Sequence, residues 1–532
     1  RSPALAALPL DVRQRRLAAI TAAALWLLHP IHVSTVLYAV QRMAQLSALF
    51  TMAGLVLFLG YRMRWAQRGA TVAELLTAGL WLALFGLLAV FSKENGALLP
   101  WLVLAVEACL FSGAWAGARN ERLRLAAWSV FLLPVVLLAA WLLVDYGSFT
   151  HRFRGREFGF EERVLTQFRV LWSYVSWLAV PNILEMGFFH DDIRLSKGLF
   201  QPITTVLAIG AWLAGCALAF ALRTRYPLLL FALCFFLAGH SLESSVLPLQ
   251  IAFEHRNYLP GVAVLLLLAV LVVQGASRVA GLRVRIACGV LVALFVALLA
   301  VRASAWRDQS TLARYNVMNH PESPRANFFY GNALFRQFQR AEEMGLSLEE
   351  EAALAVATRS YFERMHQLDP RDLAAPVMLY QIDTQFFPRL AQDNDWLSVL
   401  EALAPSRRLQ SSDRTALGAL VIFVSAGGSA ADKARVEAIV EQFLQRYPGR
   451  MDLLAHYFRL AHLEGRDEDA KLLAALQRAH EKYPDSRQAA SYLAQYHSGK
   501  DLGETYEALK DWLERDKLRR ELSVIAGVFE ND

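Results

Sequence analysis

Residues 286–302 read IACGVLVALFVALLAVR, an apolar run that ends at an arginine. From residue 303 to residue 532 the sequence has an ordinary charged composition, with no further run of this length. A membrane-spanning helix needs about 20 largely apolar residues. The stretch therefore predicts the last spanning helix of a membrane domain, residues 1–302, followed by a soluble domain, residues 303–532.

Upstream of this stretch the sequence is rich in apolar runs. Hydrophobic residues make up 55% of the chain, above the roughly 45–50% of soluble domains. Eight more candidate spans lie at about 17–29, 43–61, 74–91, 97–112, 125–144, 203–222, 227–240 and 258–275. A further stretch, residues 164–180, contains Arg169, and we expect it to lie in the membrane interface. The predicted fold class is all-α, with about nine spans.

The positions of basic residues predict the orientation, because arginine and lysine favour short cytoplasmic loops. If residues 164–180 do not cross, five basic clusters can share the cytoplasmic side. They contain Arg13, Arg15 and Arg16; Arg62, Arg64 and Arg68; Arg119, Arg122 and Arg124; Arg223 and Arg225; and Arg278, Arg283 and Arg285. The connections 29–42, 92–96, 145–202 and 241–257 then face outward, as does the soluble domain. The four cysteines lie in apolar runs without CxxC spacing, which predicts neither disulfides nor metal ligands.

The outward connections carry unusual polar residues, and these are the candidate site residues. They are His29, His32, Gln41, Arg42, Lys93, Glu94, Arg152, Arg154, Asp191, Asp192, Glu254, Arg256 and Tyr258. Polar groups at membrane depth are costly unless paired or solvated, so they often mark cavities. Arginine can bind a phosphate through two parallel hydrogen bonds, and a carboxylate can accept a proton from a hydroxyl. The set predicts a cavity for a lipid phosphate, with no metal site and no assigned catalytic residue.

Each of these features also has a purely structural interpretation. Lys93 and Glu94 can form an ion pair that closes a short loop, and the two histidines can cap helices around Pro30. The Asp191–Asp192 pair can be solvated loop residues. Arg152, Arg154 and the neighbouring Arg156 can contact lipid headgroups.

Several of these residues form an ordered set of motifs. The first motif is His29-Pro30-Ile31-His32, followed by Tyr38, Arg42 and L-x-A-L-F at 46–50. The second is Lys93-Glu94. The third is Glu254, which precedes Tyr258-Leu259-Pro260. In order and spacing the set resembles the transmembrane and tetratricopeptide-repeat O-mannosyltransferases and their bacterial relatives. Three positions depart from that pattern: Ser34 replaces a frequent glutamate, Gln41-Arg42-Met43-Ala44 replaces Gly-Arg-Ala-Asp, and His255 separates Glu254 from Arg256.

The resemblance implies a GT-C glycosyltransferase that takes a sugar from a polyprenyl-phosphate carrier and transfers it to an exported protein. In that fold the key aspartate lies in the first outward loop, which we expect to precede residue 1 of this sequence. A divalent metal would be an additional cofactor, and nucleic acid is not an expected partner. The expected location is the bacterial inner membrane, with the soluble domain in the periplasm.

The soluble domain shows helical periodicity interrupted by proline-containing turns. These are His320-Pro321-Glu322, Asp369-Pro370-Arg371, Tyr447-Pro448-Gly449 and Tyr483-Pro484-Asp485. Pro448 and Pro484 are 36 residues apart, close to the 34-residue tetratricopeptide period. We expect degenerate repeats that stack into a solenoid and recruit the acceptor, with a generic helical bundle as the alternative.

Two other functions remain open on sequence grounds. One is a polymerase or ligase of lipid-linked glycans, which has no protein acceptor. The other is a non-enzymatic, membrane-anchored scaffold, although an anchor alone does not need polar outward loops.

Overall fold

The computed structural model describes residues 10–111, 121–153, 156–277, 281–448, 450–463, 470–484, 486–498 and 500–515. Within these ranges the chain is helical, with one isolated β-bridge and no β-strand. The predicted all-α class is therefore confirmed. The chain divides into two compact units, Arg1–Ala326 and Asn327–Asp532.

The first unit contains the apolar helices. They are α1 (Val12–Leu28), α2 (Val33–Leu37), α3 (Arg42–Arg68), α4 (Val72–Ser92), α5 (Leu99–Leu110), α6 (Glu121–Val144), α7 (Tyr146–His151), α8 (Phe160–Ala179), α9 (Thr204–Ala221), α10 (Pro227–His240), α11 (Gly261–Ser277), α12 (Gly281–Ser304) and α13 (Gln309–Asn319). Short 3-10 helices at Pro30–His32, Ala39–Gln41, Glu94–Leu98 and Glu254–Asn257 join some of them. Each of the nine predicted apolar runs coincides with a helix.

Four described helices are long and apolar enough to cross a membrane: Ala39–Arg68, Val72–Ser92, Thr204–Ala221 and Leu282–Ser304. The number becomes five if α1 and Pro30–Leu37, bent by 43°, form one broken span. Length separates these helices from α5, α10 and α11, which have 12, 14 and 17 residues. At about 1.5 Å per residue, 14 residues cover roughly 21 Å, less than the ~30 Å hydrocarbon core.

Helix α8 covers the ambiguous stretch 164–180 and is not among the helices apolar enough to cross. Its buried face carries Arg163, Thr166 and Gln167. All three side chains hydrogen-bond to main-chain or side-chain groups of the first unit. This helix therefore holds connections in place through polar contacts.

The sequence predicts Arg62 in a cytoplasmic loop, together with Arg64 and Arg68. The structure shows instead that Arg62 is not in a loop. It lies inside α3, where its Nε donates to Glu107 of α5 at 2.6 Å and its Nη2 donates to the other carboxylate oxygen at 3.2 Å. The two side chains are 2% and 0% exposed. A bidentate pair satisfies a charge that an apolar interior could not otherwise hold. Because Arg62 is buried and paired, it does not count among the loop cations from which the orientation was predicted.

The boundary between the units lies later than the predicted residue 302. Helix α13 belongs to the first unit because it is bonded to the connection that follows α8. The Tyr315 hydroxyl and the Asn319 amide donate to the carbonyl of Ile183, and the backbone N–H of Phe188 donates to Asn316. The sequence analysis assigned this helix to the soluble domain because its composition is polar.

The second unit continues from α14 (Pro324–Phe338), which contains the boundary. Its other helices are α15 (Leu348–Leu368), α16 (Ala374–Phe386), α17 (Pro388–Asp393), α18 (Trp396–Leu403), α19 (Ser411–Gly427), α20 (Ala430–Arg446), α21 (Met451–Leu463), α22 (Ala470–Lys482), α23 (Arg487–His497) and α24 (Leu502–Arg515). Helix α16 packs against α19, α19 against α21, and α21 against α23, while α20, α22 and α24 pack against their sequence neighbours. All four proline-containing turns fall between helices.

Candidate functional site

Lys93 and Glu243 form a buried ion pair between two connections of the first unit. Lys93 directly follows α4, and its Nζ lies 2.8 Å from Oε1 of Glu243, which follows α10. The side chains are 7% and 9% exposed. Burial alone raises the pKa of the Glu243 carboxyl, but the charges of Lys93 and Arg256 and hydrogen bonds to it lower the pKa to about 2. The predicted Lys93–Glu94 pair is wrong, because Glu94 is exposed and Lys93 pairs elsewhere.

Glu254 is the centre of a second buried charge cluster. Its Oε1 accepts from the backbone N–H of Gly187 at 2.7 Å, and its Oε2 accepts from Nη2 of Arg302 at 3.3 Å. Nε2 of His190 lies 3.6 Å from Oε1. Burial raises the pKa of the Glu254 carboxyl, whereas the charge of Arg302 and the hydrogen bonds lower it, and the net shift is downward. Glu254 is therefore a fixed anion that joins three segments.

The connection between α10 and α11 is shaped by two buried arginines, Arg163 and Arg256. Arg163 donates to the carbonyls of Glu243, Ser245, Leu249 and Gln250. The two terminal nitrogens of Arg256 donate to Ile251 at 3.1 Å and to Gln250 at 2.8 Å. The two guanidinium groups thus donate to backbone carbonyls that no helix or sheet hydrogen bond satisfies. Arg256 is therefore a positioning residue for this connection in the observed structure.

Asp191 and Asp192 are both engaged by the segment that follows α13. Asp191 accepts from the hydroxyl of Ser323 and from the backbone N–H of Arg325. Asp192 Oδ2 lies 2.8 Å from Nδ1 of His320. Burial raises the pKa of Asp192, but the hydrogen bond and charge of His320 lower it, and the net shift is downward. The interpretation of this pair as plain solvated loop residues is wrong.

A cavity with about 460 Å³ of space, part of it open to solvent, lies beside these residues. Its lining comprises Glu157, Phe158, Phe189, His190, Asp191, Ile193, Leu195, Gln250, Ile251, Ala252, Phe253 and Arg325. It therefore combines aromatic and aliphatic walls with carboxylates, an imidazole and a guanidinium. Small-molecule sites commonly have this mixture of apolar walls and a few polar groups.

Two guanidinium groups converge on one neutral acceptor at this cavity. In the orientation that satisfies its hydrogen bonds, the Gln250 amide oxygen accepts from Arg325 at 2.8 and 3.1 Å and from Arg156 at 3.2 Å. Partial burial and the charge of Arg325 lower the pKa of Arg156, with Glu157 opposing them. Two carboxylates, Glu157 and Asp191, line the same cavity as Arg325.

Arg152 and Arg42 are not among the residues that line this cavity. Arg152 is exposed, and its guanidinium lies 5.0 Å from the ring centre of Trp141. Arg154 lies outside the described residues. Arg42, at the start of α3, is also exposed. The adjacent Gln41 is buried, and its Oε1 accepts no hydrogen bond.

His29 and His32 form a buried aromatic group with Tyr258. His29 Nδ1 accepts from the backbone N–H of Ile31 at 3.2 Å and caps the short helix that begins at Pro30. His32 lies 5.0 Å from Tyr258 and 5.6 Å from His29 between ring centres, and neither of its ring nitrogens is hydrogen-bonded. The prediction that these histidines cap helices therefore holds for His29. It does not hold for His32, whose two ring nitrogens have no hydrogen-bond partner.

Sequence reasoning missed Arg302, His320 and Arg325 as site residues. Arg302 was taken as the end of the last apolar run, and His320 as part of a repeat turn. The only sequence signal was the charge of Arg302 at the end of an apolar helix, since such charges often face a cavity. No protein-family model matches the chain, and no curated protein or solved structure is significantly similar to it.

Proposed function

We propose that this chain is a membrane glycosyltransferase that takes a sugar from a polyprenyl-phosphate carrier and transfers it to an exported protein. The observation that carries the proposal is the pair Arg156–Arg325, which converges on Gln250 at the wall of a cavity. Guanidinium groups bind phosphate through parallel charge-assisted hydrogen bonds. In this proposal Arg156 and Arg325 bind the donor phosphate in place of Arg152 and Arg42, which are exposed.

The apolar part of the cavity wall fits the other half of such a donor. Phe158, Phe189 and Phe253 line the cavity next to the charged groups, and several helices of the same unit can cross a membrane. A lipid phosphate would place its chain against apolar surface and its phosphate at the guanidinium pair.

The carboxylates beside the cavity support transfer chemistry over simple anchoring. Asp191 lines the cavity and Glu254 lies behind it, next to His190. An anchor does not need carboxylates beside a cavity, which disfavours a scaffold without enzymatic activity. We assign donor binding to Arg156 and Arg325 and leave the proton acceptor unassigned.

The second unit would recruit the acceptor protein. The row of contacts α16–α19–α21–α23 is typical of stacked helix pairs, which form extended binding surfaces. Holding an acceptor on the same chain as the donor site would raise its effective concentration to about millimolar. This arrangement favours a protein acceptor over the glycan polymerase or ligase alternative, and the proposal requires the second unit to be on the outward side.

The experiment is a donor-binding measurement on the full chain in lipid nanodiscs. Polyprenyl phosphate is compared with the uncharged polyprenol, in unaltered protein and in Arg325→Gln. We expect the phosphate to bind more tightly than the alcohol, and Arg325→Gln to weaken phosphate binding by roughly 10–100-fold, the equivalent of one charge-assisted hydrogen-bonding group.

Arg340→Gln is the matched control, since Arg340 is exposed and pairs with Glu343 on the surface. It should leave phosphate binding unchanged. Equal binding of the phosphate and the alcohol, or equal loss in both variants, would contradict the proposal.

A further inference from the structure

His190, Asp192 and His320 form a compact group of metal-ligating side chains. One ligand atom from each lies within 4.8 Å of the others. His190 and His320 are 4% and 5% exposed, and Asp192 is partly buried. His320 comes 128 residues after Asp192, so no spacing motif in the sequence could identify the group.

The histidines retain unsatisfied nitrogen atoms. Nε2 of His190 and Nε2 of His320 are buried without a hydrogen-bond partner. Buried polar atoms are normally bonded to protein or to water, so an orphaned pair within one cluster needs a physical reason. A neutral imidazole nitrogen that lacks a proton donor is the form in which histidine binds a metal.

The surroundings hold both rings in place. His190 is stacked on Trp177, with ring centres 4.8 Å apart, and meets the His320 ring edge-on at the same distance. A Cβ atom on residue 187 would lie 2.6 Å from Nε2 of His320, so only glycine allows this ring position.

A second carboxylate stands behind the cluster. Glu254 Oε1 lies 3.6 Å from Nε2 of His190 and is itself fixed by Gly187 and Arg302. Carboxylates beside histidine ligands orient the ring and increase its basicity in metal sites. Glu254 can take this role, or supply a fourth ligand after a small rotation.

We propose that His190, Asp192 and His320 bind one divalent transition-metal ion, and that this ion is zinc. Two imidazoles and one carboxylate are typical zinc ligands, and imidazole does not suit magnesium or calcium. Ligands at about 2.0–2.2 Å in tetrahedral geometry lie roughly 3.3 Å apart, so the group closes slightly around the ion. The ion fastens the connection after α8 to the segment between α13 and α14. The proposal does not depend on the transferase activity.

The test measures zinc bound to the purified full chain, after removal of any histidine tag and of metal by a chelator. With Zn²⁺ added back, we expect about one zinc per chain by elemental mass spectrometry. Co²⁺ should give the visible absorption of a tetrahedral site, and Mg²⁺ should not compete. Asp192→Asn and His320→Gln should each weaken Zn²⁺ binding at least about 100-fold.

Asp191→Asn is the control, because Asp191 is adjacent but bonds to Ser323 and Arg325 instead of the cluster. It should retain the zinc and the cobalt spectrum. Circular dichroism of each variant confirms the helical fold, and Zn²⁺ should raise the unfolding temperature of the unaltered chain but not of Asp192→Asn. A folded, unaltered chain that binds no stoichiometric zinc, or variants that bind it as well as the unaltered chain does, would overturn the proposal. The 2.8 Å bond between His320 and Asp192 would then be the whole role of the pair.

Discussion

The pairing of Lys93 with Glu243 shows how single charged residues join distant connections of this chain. The two side chains are almost fully buried and 150 positions apart. Replacing Lys93 by methionine keeps the volume but removes the ion-pair partner of a buried carboxylate. We expect this change to cost about 3–5 kcal/mol of folding free energy. The measurement is the unfolding transition of the full chain in detergent.

Adding Glu243→Gln to Lys93→Met should recover part of that loss, because the orphaned charge disappears. Lys197→Met, a change of an exposed lysine in another connection, should shift stability by less than about 0.5 kcal/mol. A double variant as unstable as the sum of the two single changes would show that the pair does not interact as the structure places it.

The sequence could identify the polar residues of the site but not their partners. Lys93, Asp192 and Glu254 stand out because they interrupt or flank apolar runs. Their partners Glu243, His320 and Arg302 lie between 48 and 150 positions away, and a single sequence carries no signal for such pairs. The nearest charge in sequence, Glu94, was the wrong choice for that reason.

At the scale of elements, the junction between α15 and α16 contains a carboxyl group with a raised pKa. Burial raises the pKa of Asp372 to about 6, with Asp413 adding to it and the Ala374 N–H and Arg407 opposing it. A raised pKa means that folding favours the protonated form. Its stabilising contribution is complete below the ordinary pKa of 3.8 and is lost as pH rises through about 6.

Between pH 5 and pH 7 we therefore expect Asp372 to lower the stability of the second unit by about 1.3 kcal/mol, because part of the effect of its raised pKa falls below pH 5. Asp372→Asn should remove this part of the pH dependence, since asparagine can still accept from Ala374. The check is the unfolding temperature of the full chain at both pH values. Asp393→Asn, a change of an exposed carboxylate in α17, is the control. Parallel pH profiles for the unaltered chain and Asp372→Asn would contradict the expectation.

The positions of the helices were largely predictable from the sequence. The unit to which a helix such as α13 belongs was not. Apolar runs located α3, α4 and α12 because a long hydrophobic segment has few alternatives to a helix in a membrane. The polar composition of α13 pointed to the soluble domain. Three hydrogen-bonding side chains attach it to the first unit instead, and composition does not encode such contacts.

The whole molecule combines one unit that has membrane-length helices with a second unit of packed helix pairs. The charged cavity of the first unit would bind the donor, and the helix pairs of the second would hold the acceptor. Each unit alone has a simpler interpretation, as an anchor or as an adaptor. Under the proposed function, their presence in one chain would bring donor and acceptor together.

The most direct measurement is mass spectrometry of exported glycoproteins from cells with and without the gene, complemented by the unaltered chain or by Arg325→Gln. We predict that a defined sugar mass disappears from at least one exported protein in cells without the gene. The unaltered chain restores that mass, whereas Arg325→Gln restores it poorly. An unchanged glycoprotein profile in the cells that lack the gene would contradict the account, and an altered pool of lipid-linked glycans in those cells would favour the polymerase or ligase.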